Sequence, residues 1–359
     1  SLLKKMNKII NILKEKKSIP LDQFINIALY DKKFGYYMKN NPFGKQGDFI
    51  TSPMISNLFG EMLAIWCIAL WEHMGKPNKI LFVELGPGDG SLCKDLLKTF
   101  KQFQKFYDAL EINLLEISNK LKTIQRSKID SKKVKWIKKI EEIKYGPIIF
   151  FGNEFFDALP IKQIYKKKKI FFERHVTLSN NDKKIKFLDK KANYNLVKNI
   201  KKLNLTYSKN LTEYPVKAIK FLEDIAEKIN KFDGGLLTFD YGYKIKKSQN
   251  TLQSIRKHRK INLFFKPGHS DITSHINFKL FQEVLKKNNL YVSKIIDQGE
   301  FLKKMGILER ANILSKKMPF KEKINMFYRL KRLIDPKEMG SLFKVIFAQK
   351  KNKNFTLGF

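Results

Sequence analysis

Only two cysteines occur in 359 residues, Cys67 and Cys93. Each lies in an apolar, helix-like stretch with no second cysteine or histidine at ligand spacing. A disulfide-stapled mini-fold is excluded, no metal is expected, and both thiols read as reduced core residues. Long hydrophobic runs are also missing. The longest, Leu63 to Trp71, is far shorter than the roughly 20 residues that span a bilayer, so no transmembrane segment is expected. The Lys-rich opening leads into the charge-interrupted stretch Asn11 to Pro20, where no targeting segment is visible, and a cytoplasmic, bacterial setting is the expectation. Acidic residues are scarce, 34 against 72 Lys plus Arg, a net charge of +38. Such a field attracts polyanions. The excess is mostly lysine, however, spread along the whole chain among Ile, Asn and Phe, as compositional drift in an AT-rich coding sequence would leave it. Zinc-finger spacing, an RNP-like aromatic run and a basic region with heptads are all absent, so no nucleic-acid partner is expected.

What is present is an alternation of strand and helix signals. From Leu21 to about Met74 apolar residues recur at helical spacing, broken by the turn-rich stretch Asn40 to Pro53. Lys79 to Leu85 reads as a buried strand and Ser91 to Phe103 as an amphipathic helix. Next come a strand at Ala109 to Glu116, a helix from Ile117 to about Arg126, a strand at Val134 to Ile137 and the apolar run Pro147 to Phe151. Strands spaced this way predict an α/β fold, a mostly parallel sheet with helices on both faces. Lys162 to Leu188 alternates around Ser179-Asn180-Asn181-Asp182 and predicts a β-hairpin insertion. A helix at Val216 to Lys231 and a strand at Gly235 to Tyr241 follow. The stretch Lys244 to Ser274 is too long for an ordinary connection. A helix at Phe278 to Asn288, strands at Leu290 to Asp297 and Leu342 to Gln349, and helices between them complete the pattern.

Three motifs carry chemistry. In Glu84-Leu85-Gly86-Pro87-Gly88-Asp89-Gly90-Ser91, glycines let the backbone pass close to a ligand at the carboxyl edge of the sheet. A dinucleotide turn wants G-x-G-x-x-G, and Ser91 stands where its third glycine belongs. The acidic-x-G-x-G-x-G form suits a cofactor without a pyrophosphate. Glu116 ends the next strand, where a carboxylate can accept hydrogen bonds from ribose hydroxyls; Glu111 is the alternative if that strand lies elsewhere. After the fourth strand comes Asn153-Glu154-Phe155-Phe156-Asp157-Ala158-Leu159-Pro160. Its two carboxylates and amide suit a planar, cationic nitrogen acceptor such as arginine. The bland alternative is that Asp157 caps a turn and Glu154 pairs with a surface lysine. His275 is a candidate base, although a lone histidine is more often structural.

Taken together, these segments resemble the MidA-like methyltransferases, a family that includes the mitochondrial complex I assembly methyltransferase. The resemblance also rests on Gly47 to Pro53, Asp240-Tyr241-Gly242, Asp271-Ile272-Thr273-Ser274-His275 and Gln298-Gly299-Glu300-Phe301-Leu302. It runs from about Leu21 to the last strand. It implies a Rossmann-like core with an N-terminal helical extension and hairpin and loop insertions. It further implies S-adenosyl-L-methionine as donor, with S-adenosyl-L-homocysteine as product, and a protein arginine as acceptor, with a subunit of respiratory complex I type as the candidate partner.

Carried over by position, Asp48, Thr51 and Pro53 belong to a loop closing over the cofactor, and Asp271, Thr273 and His275 to a loop near the acceptor. Glu84, Gly86, Gly88, Asp89, Gly90, Glu116 and Asn153 are then cofactor-binding residues, and Asn153, Glu154, Asp157 and His275 catalytic ones. Asn277 departs from the pattern, where an acidic residue is expected, as do His269-Ser270. The organisation expected is 1–76 as helical extension and covering loop, 77–161 as the first half of the core, 162–215 as hairpin insertion, 216–243 as core, 244–276 as substrate-side insertion and 277–359 as the end of the core. The partner expected is a protein substrate, with homo-oligomerisation left open. The competing reading is an assembly chaperone in which the cofactor is structural or absent.

Overall fold

A computed structural model describes residues 2–39, 57–180, 184–205, 211–245, 248–256 and 259–359. In chain order its strands are β1 (Ser18–Pro20), β2 (Ile80–Leu85), β3 (Leu110–Leu115), β4 (Val134–Ile137), β5 (Ile148–Asn153), β6 (Lys162–Lys167), β7 (Ile170–Leu178), β8 (Ile185–Lys191) and β9 (Thr212–Tyr214). They continue as β10 (Gly234–Tyr243), β11 (Gln253–Arg256), β12 (Arg259–Ile261), β13 (Asp271–Thr273), β14 (Ile276–Asn277), β15 (Leu290–Val292), β16 (Ile296–Asp297) and β17 (Phe343–Lys350). The principal sheet has the order β15-β17-β10-β5-β2-β3-β4. Its five strands from β10 to β4 are mutually parallel, β17 runs against them, and β15, antiparallel to β17, runs with them. Register brings Leu85 beside Gly152 and Leu115, and Asn153 beside Phe239. The carboxyl ends of four neighbouring strands therefore open at one edge, where ligands bind in sheets of this kind.

Both faces of this sheet are apolar, which is why its strands read as continuous hydrophobic runs. Leu81, Val83 and Leu85 pack into one layer with Leu222, Ile225 and Phe281 from the helices Val216–Phe232 and Phe278–Lys287. Phe82 packs into the other with Trp66 and Leu96 from the helices Asn57–His73 and Ser91–Phe100. No described helix is long and apolar enough to cross a membrane.

Several boundaries differ from expectation, each for a local reason. The expected hairpin is a meander of β6, β7 and β8, extended by β1 and β9 into a five-stranded sheet. Its first turn falls inside the run Lys166 to Lys169, with Lys168 at φ 55°. No Gly or Asn marks that turn in the sequence. Asn181 and Asp182 of the second turn lie outside the described residues. The opening residues form a helix, Leu2–Lys16, whose Ile9 and Leu13, one helical turn apart, are buried beside Ile19 and Val176. Lys-rich composition had hidden that stripe. The stretch from Ser91 holds two helices, Ser91–Phe100 and Gln104–Ala109, and Leu290 to Asp297 breaks into β15 and β16. The long second insertion folds into a small antiparallel sheet, β12-β11-β13.

Candidate active site

The glycine turn leaves β2 with Gly86, Gly88 and Gly90 at φ of 62°, 56° and 82°. That left-handed backbone is open to glycine at little cost. At Gly86 a Cβ would sit 2.8 Å from the Phe155 ring, so the turn and the segment after β5 approach as closely as backbone allows. Asp89 accepts the Ser91 N–H at 3.0 Å and pairs with Lys128.

Glu116 follows β3. Its carboxylate accepts the Ser118 N–H at 2.7 Å and the Gln125 amide at 3.2 Å. Gln125 also donates to Gly88 O at 2.8 Å and accepts from the Trp136 indole at 2.8 Å. One buried amide thus joins the glycine turn to the Glu116 carboxylate and fixes their separation. Burial pushes the Glu116 carboxyl up, against its hydrogen bonds.

After β5, Glu154 adopts φ 52°, strained backbone for a residue with a side chain and a frequent mark of functional sites. Its N–H donates to Phe239 O at 3.0 Å, and its carboxylate accepts the Asn153 amide at 3.3 Å. Asp157 is buried. So is Asp240, at the end of β10, whose carboxylate accepts the N–H groups of Phe156 and Asp157 at 3.0 and 3.2 Å. Burial pushes the Asp157 carboxyl well up, and the charges of Asp240 and Asp271 push it further. Asp240 is raised likewise by burial and by Glu154. Like charges this deep hold protons that a cationic ligand can displace.

These groups share one cavity of about 280 Å³. Of the residues singled out in the sequence, Glu84, Gly86, Gly88, Asp89, Glu116, Asn153, Glu154, Asp157 and Asp271 line it. Gly90 lies behind, tight against Ile129 and Gln125, where it lets two helices approach. His275 and Thr273 are not among the lining residues. The His275 ring stacks on Tyr241 at 6.2 Å, the backbone N–H of His275 donates to the Thr251 hydroxyl at 2.8 Å, and burial lowers the imidazole pKa. Glu111 faces away, holding Tyr145 and Lys135. Asn277 caps the helix Phe278–Lys287, accepting the Leu280 N–H at 3.1 Å, a role its amide fills as an aspartate would. Asp48, Thr51 and Pro53 lie outside the described residues. Sequence reasoning did not assign Tyr30, Tyr37, Lys138, Lys217 and Phe221, which also line the cavity, nor Gln125 and the orienting role of Asp240. No local pattern marks them, because each acts across a long sequence separation.

Comparison with known proteins follows the same line. The sequence profile of a family described as S-adenosyl-L-methionine-dependent methyltransferases matches residues 62–296. Protein arginine methyltransferase NDUFAF7, mitochondrial, of Xenopus laevis is 30% identical, over 94% of this chain and 83% of that one. The Homo sapiens protein of the same name is 27% identical, over 90% and 78%. Among solved structures, a Burkholderia thailandensis protein bound to S-adenosyl-homocysteine superposes with a TM-score of 0.84 at 23% identity, covering 100% of this chain and 95% of that one. At that identity the likeness establishes the fold.

Proposed function

The chain belongs to this family of S-adenosyl-L-methionine-dependent methyltransferases, and from that premise we propose that it methylates a guanidinium nitrogen of an arginine in a partner protein. The observation that carries the reading is the single cavity in which the glycine turn meets the carboxylates of half-buried Glu154 and buried Asp157. The curated relatives named above are arginine methyltransferases by name, which supports the acceptor class. A subunit of respiratory complex I type is the acceptor that the family resemblance proposes.

The residues present fit the cofactor. Among the described residues, Glu84 Oε2 and Asn153 Oδ1 are buried acceptors without a hydrogen-bond partner, and both residues line the cavity. Glu84 would receive the ammonium of the methionine portion and Glu116 the ribose hydroxyls, while the glycine turn gives room for the backbone to approach. When bound, the cofactor supplies an electrophilic sulfonium methyl. Glu154 and Asp157 would align the planar acceptor through its fork of donors. An arginine is charged throughout the neutral range, so the nitrogen that gains a methyl must lose a proton. A carboxylate oxygen of Glu154 or Asp157 would receive it, and Asp240, bonded to the backbone at Phe156 and Asp157, keeps that segment in place.

Glu84 makes cofactor binding proton-linked. Burial, with a smaller push from Asp89, raises its carboxyl from 4.5 to about 8. The folded chain therefore binds a proton that the unfolded chain releases, so this group's stability contribution is full below 4.5 and is lost as pH rises through 8. An ammonium bound beside it favours the ionised form. Calorimetric titration at pH 7, in buffers of different ionisation heat, should show close to one proton released per cofactor, and Glu84→Gln should bind without that release. A proton count near zero in the unmodified chain removes Glu84 from the ammonium site.

The function itself is tested by incubating the chain with methyl-labelled S-adenosylmethionine and a bacterial protein extract, then hydrolysing the products. Label in methylarginine is the expected result. Label confined to lysine or to nucleic acid overturns the arginine reading.

A further inference from the structure

Two segments outside the principal sheet complete the acceptor end of the cavity. Tyr30, at the end of the helix Leu21–Tyr30, and Tyr37, in the short helix Tyr36–Lys39, stack with ring centroids 5.6 Å apart and an interplanar angle of 19°. Both line the cavity, as does Asp271 from the second insertion. The hydroxyls are committed elsewhere. Tyr30 Oη donates to Ala158 O at 2.8 Å, beside Asp157, and Tyr37 Oη donates to the Asp271 carboxylate at 2.9 Å. The Asp271 carboxylate also accepts the Ile272 N–H at 2.9 Å. Residues 234 positions apart are thus tied across the cavity, and the rings are held with little freedom. Lys217 Nζ lies 5.0 Å from the Tyr30 ring centroid, so a guanidinium takes that face by displacing a tethered ammonium, which has no plane to stack.

We propose that Tyr30 and Tyr37 are specificity-determining residues: with Asp157 and Asp271 they form an aromatic, acidic wall that takes a planar guanidinium and discriminates against a lysine ammonium. The inference rests on the arginine reading above and adds the residues that enforce it. Guanidinium is flat, weakly hydrated and stacks on aromatic faces while its edge donates to carboxylates; an ammonium is a compact, strongly hydrated point charge with no plane to stack. Tyr37 acts as a positioning residue, because its hydroxyl aims the Asp271 carboxylate, while the Tyr30 ring provides the face.

The test uses the full chain saturated with S-adenosylhomocysteine and two probes, N-acetyl-arginine methylamide and its lysine counterpart, with binding read by ligand-observed NMR. The unmodified chain should prefer the arginine probe by roughly tenfold or more. Tyr30→Leu should lose most of that preference, and Tyr30→Phe, which keeps the ring, should restore it. Tyr37→Phe should weaken arginine binding severalfold. In all three variants S-adenosylhomocysteine affinity should stay within about twofold of the parent, a readout that loss of folding would move. Three results overturn the inference: no arginine preference in the parent, a preference that survives Tyr30→Leu, or a fall in S-adenosylhomocysteine affinity as large as the fall for the probe, which would make the tyrosines a wall of the cofactor site. The labelled-methyl experiment judges the arginine reading separately. Transfer to arginine at the parental rate in Tyr30→Leu removes this inference alone, whereas transfer to lysine removes both.

Discussion

Gly86→Val should weaken S-adenosylmethionine binding by about a hundredfold or more while leaving the chain folded. Two costs fall on the same atom. A side chain at φ 62° occupies a conformation that costs roughly 1–2 kcal/mol for an L-residue. Its Cβ would also lie 2.8 Å from the Phe155 ring, and that ring, packed edge to face against Phe156 and Phe221 at 5.1 and 5.2 Å, has the cavity it lines as its open side. Overpacking of this kind costs about 1–3 kcal/mol more. If the turn escapes by shifting, it abandons the backbone path that the cofactor needs, and each 1.4 kcal/mol is about tenfold in affinity. Calorimetric titration measures the loss. Gly75 supplies the control: it has φ 84° with nothing within 4 Å of its Cβ position, so Gly75→Val should lower the melting temperature without affecting binding. Parental affinity in a folded Gly86→Val chain would dismiss the glycine turn as the cofactor site.

Glu154→Gln and Asp157→Asn should each lower methyl transfer by about a hundred- to a thousandfold, the range typical of removing a positioned acid–base or charge-stabilising group. Cofactor affinity should change little, because shape is preserved and the glycine turn is untouched. Asp157→Asn carries a second signature. The native carboxyl is raised by burial and by its acidic neighbours, so its stability contribution is full below the unfolded carboxylate range and is lost as pH rises through the folded value. The variant should therefore melt higher than the parent at pH 8, with the advantage shrinking towards pH 4. Single-turnover kinetics with labelled cofactor, paired with thermal melts at the two pH values, check both parts. Undiminished turnover in both variants excludes these carboxylates from the acceptor site.

Much of the principal sheet was legible because its signals are local. β2 is a hydrophobic run entering glycines, β4 was placed at Val134 to Ile137 as observed, and the helix Val216–Phe232 shows its apolar stripe at the 3.6-residue period. The part of the cavity proposed for the cofactor was legible for the same reason, since Glu84 to Asp89 and Glu116 sit at the strand ends where a parallel sheet presents ligands. Lysine obscured the rest. It concealed the stripe of Leu2–Lys16 and the turn at Lys168, because a long charged side chain on the solvent face looks the same in helix, strand or loop.

The part proposed for the acceptor was less legible because it is assembled from distance. Tyr37 meets Asp271 and Tyr30 meets Ala158 only after the N-terminal helices and the second insertion close over the sheet edge, and Asp240 meets Phe156 only through the pairing of β10 with β5. His275, chosen for its chemistry alone, sets its ring against Tyr241, while its backbone N–H is held by Thr251. By itself the sequence determined the parallel core, the glycine turn and the cofactor class, properties encoded in periodicity and in short motifs whose residues are adjacent along the chain. Which carboxylates share a cavity, which glycine serves packing against neighbouring helices, and which aromatics line that cavity were decided by tertiary structure. The physical reason is that burial, register and mutual charge exist only between residues that folding brings together.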